Sequence, residues 1–280
     1  MSDFNLAEYL THAESVILPS RSSRGHHSPA PSNGRLHVGV DLGTSYLVVV
    51  ALDEKLKPLA GEYQFAQVVR DGLVVDFIGA IDRLKGMKAR LEKRLGQELT
   101  HAASGYPPGV PRVEVHATEH VLEAAGLTCT GMIDEPSAAN NLLALHEGAI
   151  VDVGGGTTGI AVLQDGKVIY SADEPTGGTH FTLVIAGAKN ISFEQAEALK
   201  IDPAHQEELF LLIRPVMEKV SSIIAKHLEG KDVKHITLVG GTARYPGITE
   251  VVQEYTGIHT SAPERPLFVT PLGIAMHDKE

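Results

Sequence analysis

The chain has 280 residues, 43% of them hydrophobic, enough for one large or two medium domains around a substantial core. Its formal net charge of −11 argues against a nucleic-acid or anionic-membrane partner. No apolar run approaches the roughly 20 residues that span a bilayer, no basic-then-apolar leader opens the chain, and one cysteine, Cys129, cannot form an intrachain disulfide, which fits a cytoplasmic protein with an inert core thiol.

Residues 1–34 read as a short helix plus a flexible linker. Phe4, Leu6, Leu10 and Ile17 give a weak helical pattern, with Asp3 as candidate cap. Residues 19–34 are rich in Ser, Pro, Gly and basic side chains and bury too little to order themselves. This arm reads either as a docking peptide or as a terminus docked on its own protein. Strands are expected near 37–42, 46–52 and 56–64, then a hairpin over 68–77 turning at Asp71-Gly72. A helix over 78–99 carries Ile81, Leu84, Met87, Leu91 and Leu95 at helical spacing. A strand near 101–104, a helix over 112–125 stopped by Gly126, and a strand over 127–134 follow. Glu135-Pro136 opens a helix reaching about residue 145.

Beyond it, a hairpin turns at Asp165-Gly166, and Gly177-Gly178-Thr179 leads into a helix over 181–188. Ser192 and Gln195 form a capping box for a helix over 193–200. A long helix over 203–229 is capped by Asp202 and kinked at Pro215; its stripe is Leu209, Leu212, Val216, Val220, Ile223 and Leu228. Strand 235–239, helix 247–256, a short strand 267–269 and a helix 271–276 complete the chain. The 14 histidines are scattered without zinc spacing.

The organising stretch is 149–163, AIVDVGGGTTGIAVL: strand, glycine turn, strand. Gly154, Gly155 and Gly156 free the backbone, so N–H groups can close on a phosphate. Asp152 at the strand end can hold a hydrated Mg2+. Taken alone this is also an ordinary hairpin turn. A second copy, HVGVDLGTSYLVVV over 37–50, repeats the pattern with Asp41 and the turn Gly43, Thr44, Ser45. The alternative role for either aspartate is to cap its turn.

These paired hairpins resemble the phosphate loops of the actin/Hsp70/sugar-kinase ATPase superfamily. The resemblance covers about 35–277 and implies an α/β, actin-like ATPase fold: duplicated ribonuclease-H-like halves with mixed sheets and a nucleotide cleft between them. The expected division is 1–34 arm, 35–134 first half, 135–280 second half, with a hinge near Asp134-Glu135-Pro136. It is a compact form, with no Hsp70 peptide-binding domain expected after residue 280.

Asp41, Glu135 and Asp152 become the candidate catalytic residues, with Asp41 and Asp152 on the metal. Glu135 would orient the hydrolytic water; otherwise it simply meets the helix dipole. Gly43, Thr44, Ser45 and Tyr46, with Gly154, Gly155, Gly156 and Thr157, would cradle ATP or ADP. Gly177 and Gly178 would let the nucleotide approach the next helix. Gly240-Gly241 resembles the adenosine motif, and Arg244 can stack on the base. Glu197 and Lys200, three apart on one helix face, would meet the ribose or base, or else form an exposed ion pair.

Within the superfamily, VVRDGLVVDF, YSADEPTGGTH and TPLGIAM are similar to the ethanolamine-utilization J protein family. That resemblance implies an ATP-binding, Hsp70-like chaperone or reactivation factor, acting on ethanolamine ammonia-lyase or on bacterial microcompartment assembly. Gly159 stands where Hsp70 carries another acid, and no counterpart of its catalytic lysine is found. The expectation is a slow Mg-dependent ATPase, or an actin-like nucleotide-binding assembly protein with little hydrolysis.

Overall fold

The computed structural model describes residues 4–19, 34–70, 73–110 and 112–279. They group into two compact units, Met1–Ala144 with Phe268–Glu280, and Leu145–Leu267. Residues 20–33 of the expected linker (19–34), Asp3 and the Asp71-Gly72 turn lie outside the described residues.

The first unit is built on helix α1 (Leu6–Val16) and strands β1 (Ile17–Pro19), β2 (His37–Leu42), β3 (Tyr46–Leu52) and β4 (Pro58–Phe65). Next come a small hairpin β5 (Val69–Arg70) and β6 (Leu73–Val74), helix α2 (Phe77–Leu95) and strand β7 (His101–Tyr106). Helix α3 (Arg112–Ala124), strand β8 (Thr128–Asp134) and helix α4 (Glu135–Leu143) complete its main run. The main sheet has the order β1-β4-β3-β2-β7-β8. Strands β2, β3 and β4 pair antiparallel, whereas β2, β7 and β8 run parallel. One sheet face, with Val38, Val40 and Leu42, packs on Leu84, Met87 and Leu91 of α2 and Leu122 of α3. On the other face Ala103 and Ile133 meet Ala138 of α4 and Ile274 of the last helix, α9 (Val269–Ala275). The alternation of Ala102 and Ala103 between these clusters is the period-2 signature of a strand covered on both sides.

That double coverage explains the unit's limits. Helix α4 folds back on the sheet it leaves, and α9 packs on α4 and β2. The first unit therefore runs to Ala144 and takes in 268–280, whereas the sequence reading divided the chain between 134 and 135. The arm is also accounted for over 6–19. Asn5, not Asp3, caps α1, accepting from the N–H groups of Ala7 and Glu8. Leu10 and Ala13 are fully buried, Tyr9 Oη donates to the Leu56 carbonyl at 2.6 Å, and β1 pairs parallel with β4. Arg94 bonds the carbonyls of both Gly61 and Val16, tying the end of α1 to β4. Of the two readings of the arm, the self-docked one describes these residues.

The second unit begins with strands β9 (Gly148–Val153), β10 (Thr158–Gln164) and β11 (Lys167–Glu174). Helices α5 (Gly178–Lys189), α6 (Phe193–Ile201) and α7 (Pro203–Leu228) follow. Strand β12 (His235–Val239), helix α8 (Ile248–Thr256) and strand β13 (His259–Ser261) close it. Its sheet order is β11-β10-β9-β12-β13. Numbered within its own unit, each five-stranded core has the same order, 3-2-1-4-5, so the duplication in sequence is a duplication in topology. Val151, Val153, Ile160 and Val162 form a core with Phe181, Ile185, Met217, Val220 and Ile224.

Two local expectations are corrected, and two short strands come without a sequence signal. Residues 267–269 are not a strand: a 3-10 turn, Pro266–Phe268, runs into α9, because prolines at 266 and 271 favour helical entry over a sheet ladder. The buried stripe of α7 is Leu209, Ile213, Met217, Val220, Ile224 and Leu228, with Leu212, Val216 and Ile223 only partly covered. The helix is apolar over a wide arc, so spacing alone left its orientation open by part of a turn. Strands β1 and β13, three residues each, are too short to show alternation.

Candidate functional site

In the first unit Asp41 is the penultimate residue of β2, paired with Val48 across the hairpin. Val38, Val40 and Leu42 point into the helical core, so alternation puts Asp41 on the opposite face. Gly43, Thr44 and Ser45 form the turn and Tyr46 opens β3. Glu135 is the first residue of α4, whose start is capped by Asp134 accepting from Ser137 N at 3.0 Å. β2, β7 and β8 are parallel, with Val40 opposite Ser104 and Gly105 opposite Ile133. Asp41, near the end of β2, and Glu135, which directly follows β8, thus stand at the same carboxyl edge, on either side of β7. That edge is where α/β sheets commonly take ligands.

In the second unit Asp152 has the corresponding place: penultimate in β9, with Val151 and Val153 on the core face, and itself buried. Gly159 is its cross-strand partner. The turn Gly154-Gly155-Gly156-Thr157 lies between the last pair, Val153 and Thr158, and closes on itself through Gly154 N–H to Thr157 O at 3.0 Å. β12 runs parallel beside β9 with Val239 opposite Asp152. The next residue, Gly240, has φ +91°, and a Cβ there would overlap the Asp152 carboxylate. Glycine at 240 is therefore what lets the backbone pass close to that aspartate.

Hydrogen bonds join the hairpin to two further segments. The Gly154 carbonyl accepts from Gly178 N–H at 3.0 Å and from Thr242 Oγ1 at 2.8 Å, and the Gly155 carbonyl accepts from Thr179 N–H at 2.7 Å. A Cβ on Gly177 would lie 2.7 Å from the Gly154 oxygen and 2.9 Å from that of Gly155, so this closeness requires glycine. Gly154–Thr157, Gly177-Gly178 and Gly240-Gly241 are thus brought together within one unit. Arg244 lies on the same 3-10 turn as Thr242 and is exposed. Tyr245, the next residue, is buried and donates to Gln206 O at 3.1 Å; burial pushes its hydroxyl up to about 12.

Glu197 and Lys200 do not form the exposed pair that one reading allowed. Lys200 Nζ donates to Glu197 Oε2 at 2.7 Å, Thr182 Oγ1 at 2.9 Å and the Gly178 carbonyl at 3.1 Å, so its three donors are engaged. Thr182 Oγ1 in turn donates to Glu197 Oε2 at 2.6 Å. Burial lowers the Lys200 pKa, and Glu197 acts in the opposite direction. The network braces the start of α5 from behind. Thr182 and Thr242 were not among the sequence candidates. Thr182 was legible as the residue one helical turn beyond Gly178, and Thr242 as the hydroxyl inside GGTAR. Cys129 is half-buried and its thiol is pushed up by burial, in keeping with an inert side chain.

The family model described as "Type IV pilus assembly protein PilM" matches residues 110–266. "Ethanolamine utilization protein EutJ" of Escherichia coli (strain K12) is 40% identical over 276 residues, covering 97% of each chain. The crystal structure of EutJ from Carboxydothermus hydrogenoformans superposes with a TM-score of 0.89 at 42% identity, again over 97% of each chain. MreB5 of Spiroplasma citri, solved bound to AMPPNP, aligns with a TM-score of 0.70 over 88% of this chain and 96% of its own, at 17% identity, a likeness of fold alone. The duplicated sheets are those of the actin-like ATPase fold, and at this identity and coverage the chain belongs to the ethanolamine utilization protein EutJ family.

Proposed function

We propose that this chain binds ATP and ADP with Mg2+ and serves ethanolamine utilisation as an Hsp70-like chaperone or reactivation factor. Its target on this reading is ethanolamine ammonia-lyase or the assembly of the microcompartment. The observation that carries it is the convergence, within the second unit, of the glycine hairpin, Gly177-Gly178 and Gly240-Gly241 beside the buried Asp152. Backbone N–H groups of the hairpin receive phosphate oxygens, and the Thr157 hydroxyl adds a donor. The bare backbone at Gly240-Gly241 accepts a flat nucleoside, and the exposed Arg244 guanidinium covers the base.

Mg2+ keeps most of its waters and needs only one or two carboxylates besides phosphate oxygens. Among the described residues no group of three or more His, Cys, Asp or Glu could hold a metal alone, which suits an ion carried in with the nucleotide. Asp152 is the carboxylate the second unit offers to its water shell; Asp41 has the same strand-end placement in the first. The metal would neutralise phosphate charge, and Asp152 would orient water.

A second reading, binding with little hydrolysis, is favoured by two observations. Gly159 offers no side chain opposite Asp152, and Lys200 is already committed to Glu197, Thr182 and Gly178. Calorimetry with ATP, ADP and GTP, with and without Mg2+, tests the common core of both readings. Asp152→Ala should weaken Mg-ATP by roughly tenfold or more, the loss of one charged contact. No binding by the wild-type chain would discard both, and measurable turnover removed by Asp152→Ala would select the first.

A further inference from the structure

We propose that Thr242 is a positioning residue that presets the second glycine hairpin for phosphate, acting through the Gly154 carbonyl rather than on the ligand. This rests on the nucleotide reading above and deepens it. A trans peptide carries its C=O and the following N–H on opposite sides of the chain. The Gly154 oxygen is turned toward Gly178 N–H and Thr242 Oγ1, and the Gly155 oxygen toward Thr179 N–H. The N–H groups of Gly155 and Gly156 belong to those same two peptide planes. They therefore point away from α5, both to the other side. Two successive N–H groups so directed make an anion-binding concavity.

Triglycine is the least constrained of sequences, and either peptide plane could rotate at little cost. What holds them is the set of donors on their carbonyls. The N–H groups at the start of α5, the usual welcome for an anion, are spent here on orienting the loop. Thr242 supplies the one side-chain donor in that set. Its own place is firm: Gly240 N–H bonds the Pro266 carbonyl at 3.1 Å, and Tyr245 bonds both Thr242 O, through its N–H, and Gln206 O, through its hydroxyl. The turn that carries the candidate base-stacking Arg244 is thereby tied to the phosphate loop through the Thr242 hydroxyl.

The test is calorimetric titration of wild type, Thr242→Val and Thr242→Ser with Mg-ATP and with adenosine, alongside nitrogen-15 spectra of the ligand-free proteins. Val keeps the shape without the hydroxyl; Ser keeps the hydroxyl. The expected result is a roughly fivefold loss of ATP affinity in Thr242→Val, the scale of one neutral hydrogen bond. Adenosine binding should be unchanged, Ser should restore ATP, and the Gly155 and Gly156 amide signals should broaden in Val alone. An equal loss for ATP and adenosine would overturn the proposal, because the hydroxyl would then be touching the nucleoside. Unchanged ATP affinity together with unchanged Gly155 and Gly156 signals would overturn it too. Should wild type bind no nucleotide at all, the nucleotide reading itself falls, whatever Thr242→Val does to the amide signals.

Discussion

Between Leu42 and Leu47 in the first unit, and between Val153 and Thr158 in the second, the chain turns through four residues, 43–46 and 154–157. Each turn follows an aspartate, Asp41 or Asp152, that lies off the core face. Their supports differ. The first is held by Ala66 N–H on the Ser45 carbonyl at 3.0 Å, with the Tyr46 ring packed on Tyr63 and Phe65, centroids 5.8 and 5.6 Å away. The second is held by main-chain and threonine donors, braced by the buried Lys200–Glu197–Thr182 network. The two loops share their length and the acid; aromatic packing is added to a main-chain bond in the first, and threonine donors in the second. Polar contacts in a buried setting are directional, and cutting one leaves a partner unsatisfied.

The sharpest way to break this comparison is Lys200→Met. It removes the cation and strands Glu197, which is 6% exposed, without its ion-pair partner. Breaking a buried pair from one side costs about 3–5 kcal/mol. Urea unfolding should show a loss of that order, with hydrogen exchange locating it in α5, α6 and the second hairpin while the first hairpin keeps its protection. The double variant Lys200→Met, Glu197→Gln should regain much of it. A loss below about 1 kcal/mol, the worth of a surface pair, would mean the network braces nothing.

Next in size is Gly177→Ala. Its Cβ would press on the oxygens of Gly154 and Gly155, and overpacking of that kind costs about 1–3 kcal/mol. Nucleotide affinity should fall roughly tenfold as the hairpin is pushed off α5. Gly187→Ala on the same helix is the control. Among the described residues, no atom beyond its own turn of helix backbone stands within 4 Å of its added methyl, so alanine should be neutral or stabilise by up to about 1 kcal/mol. Equal binding by both variants would separate the hairpin from α5.

How much of this was readable beforehand follows the physics of each element. Ser192 and Gln195 cap α6 as their spacing required, because a capping box is local chemistry. Both glycine hairpins were visible because a strand, an acid and a glycine turn occupy adjacent positions. The destination of α9 was not: Ile274 packs on Ala103, Ile133 and Ala138, contacts between residues more than 130 positions apart that leave no local signature. The fate of Lys200 was half visible. Its spacing to Glu197 is a helix property, but whether that face is buried depended on Thr182 and Gly178 from another helix.

The smallest effect concerns the opposite, amino ends of the strands, where the units again differ. In the first unit His101 Nδ1 meets the buried carboxylate of Asp278 at 2.9 Å, and His37 bonds the Asp278 carbonyl. In the second, His235 at the start of β12 faces His259 at the start of β13, ring centroids 5.0 Å apart, with Ser261 as its hydrogen-bond partner. Burial, and then the neighbouring His259, hold His235 below its ordinary value of 6.5. A base depressed on folding takes up its proton more readily when unfolded. Its contribution to stability is therefore full above 6.5 and is lost as pH falls through the folded value. As pH falls below 6.5 the second unit should lose hydrogen-exchange protection along β12 and β13. His235→Gln should flatten that dependence, since the amide can keep the bond to Ser261 without titrating. A wild-type profile in β12 and β13 that stays flat over that fall in pH would show that the two adjacent rings tolerate the extra charge.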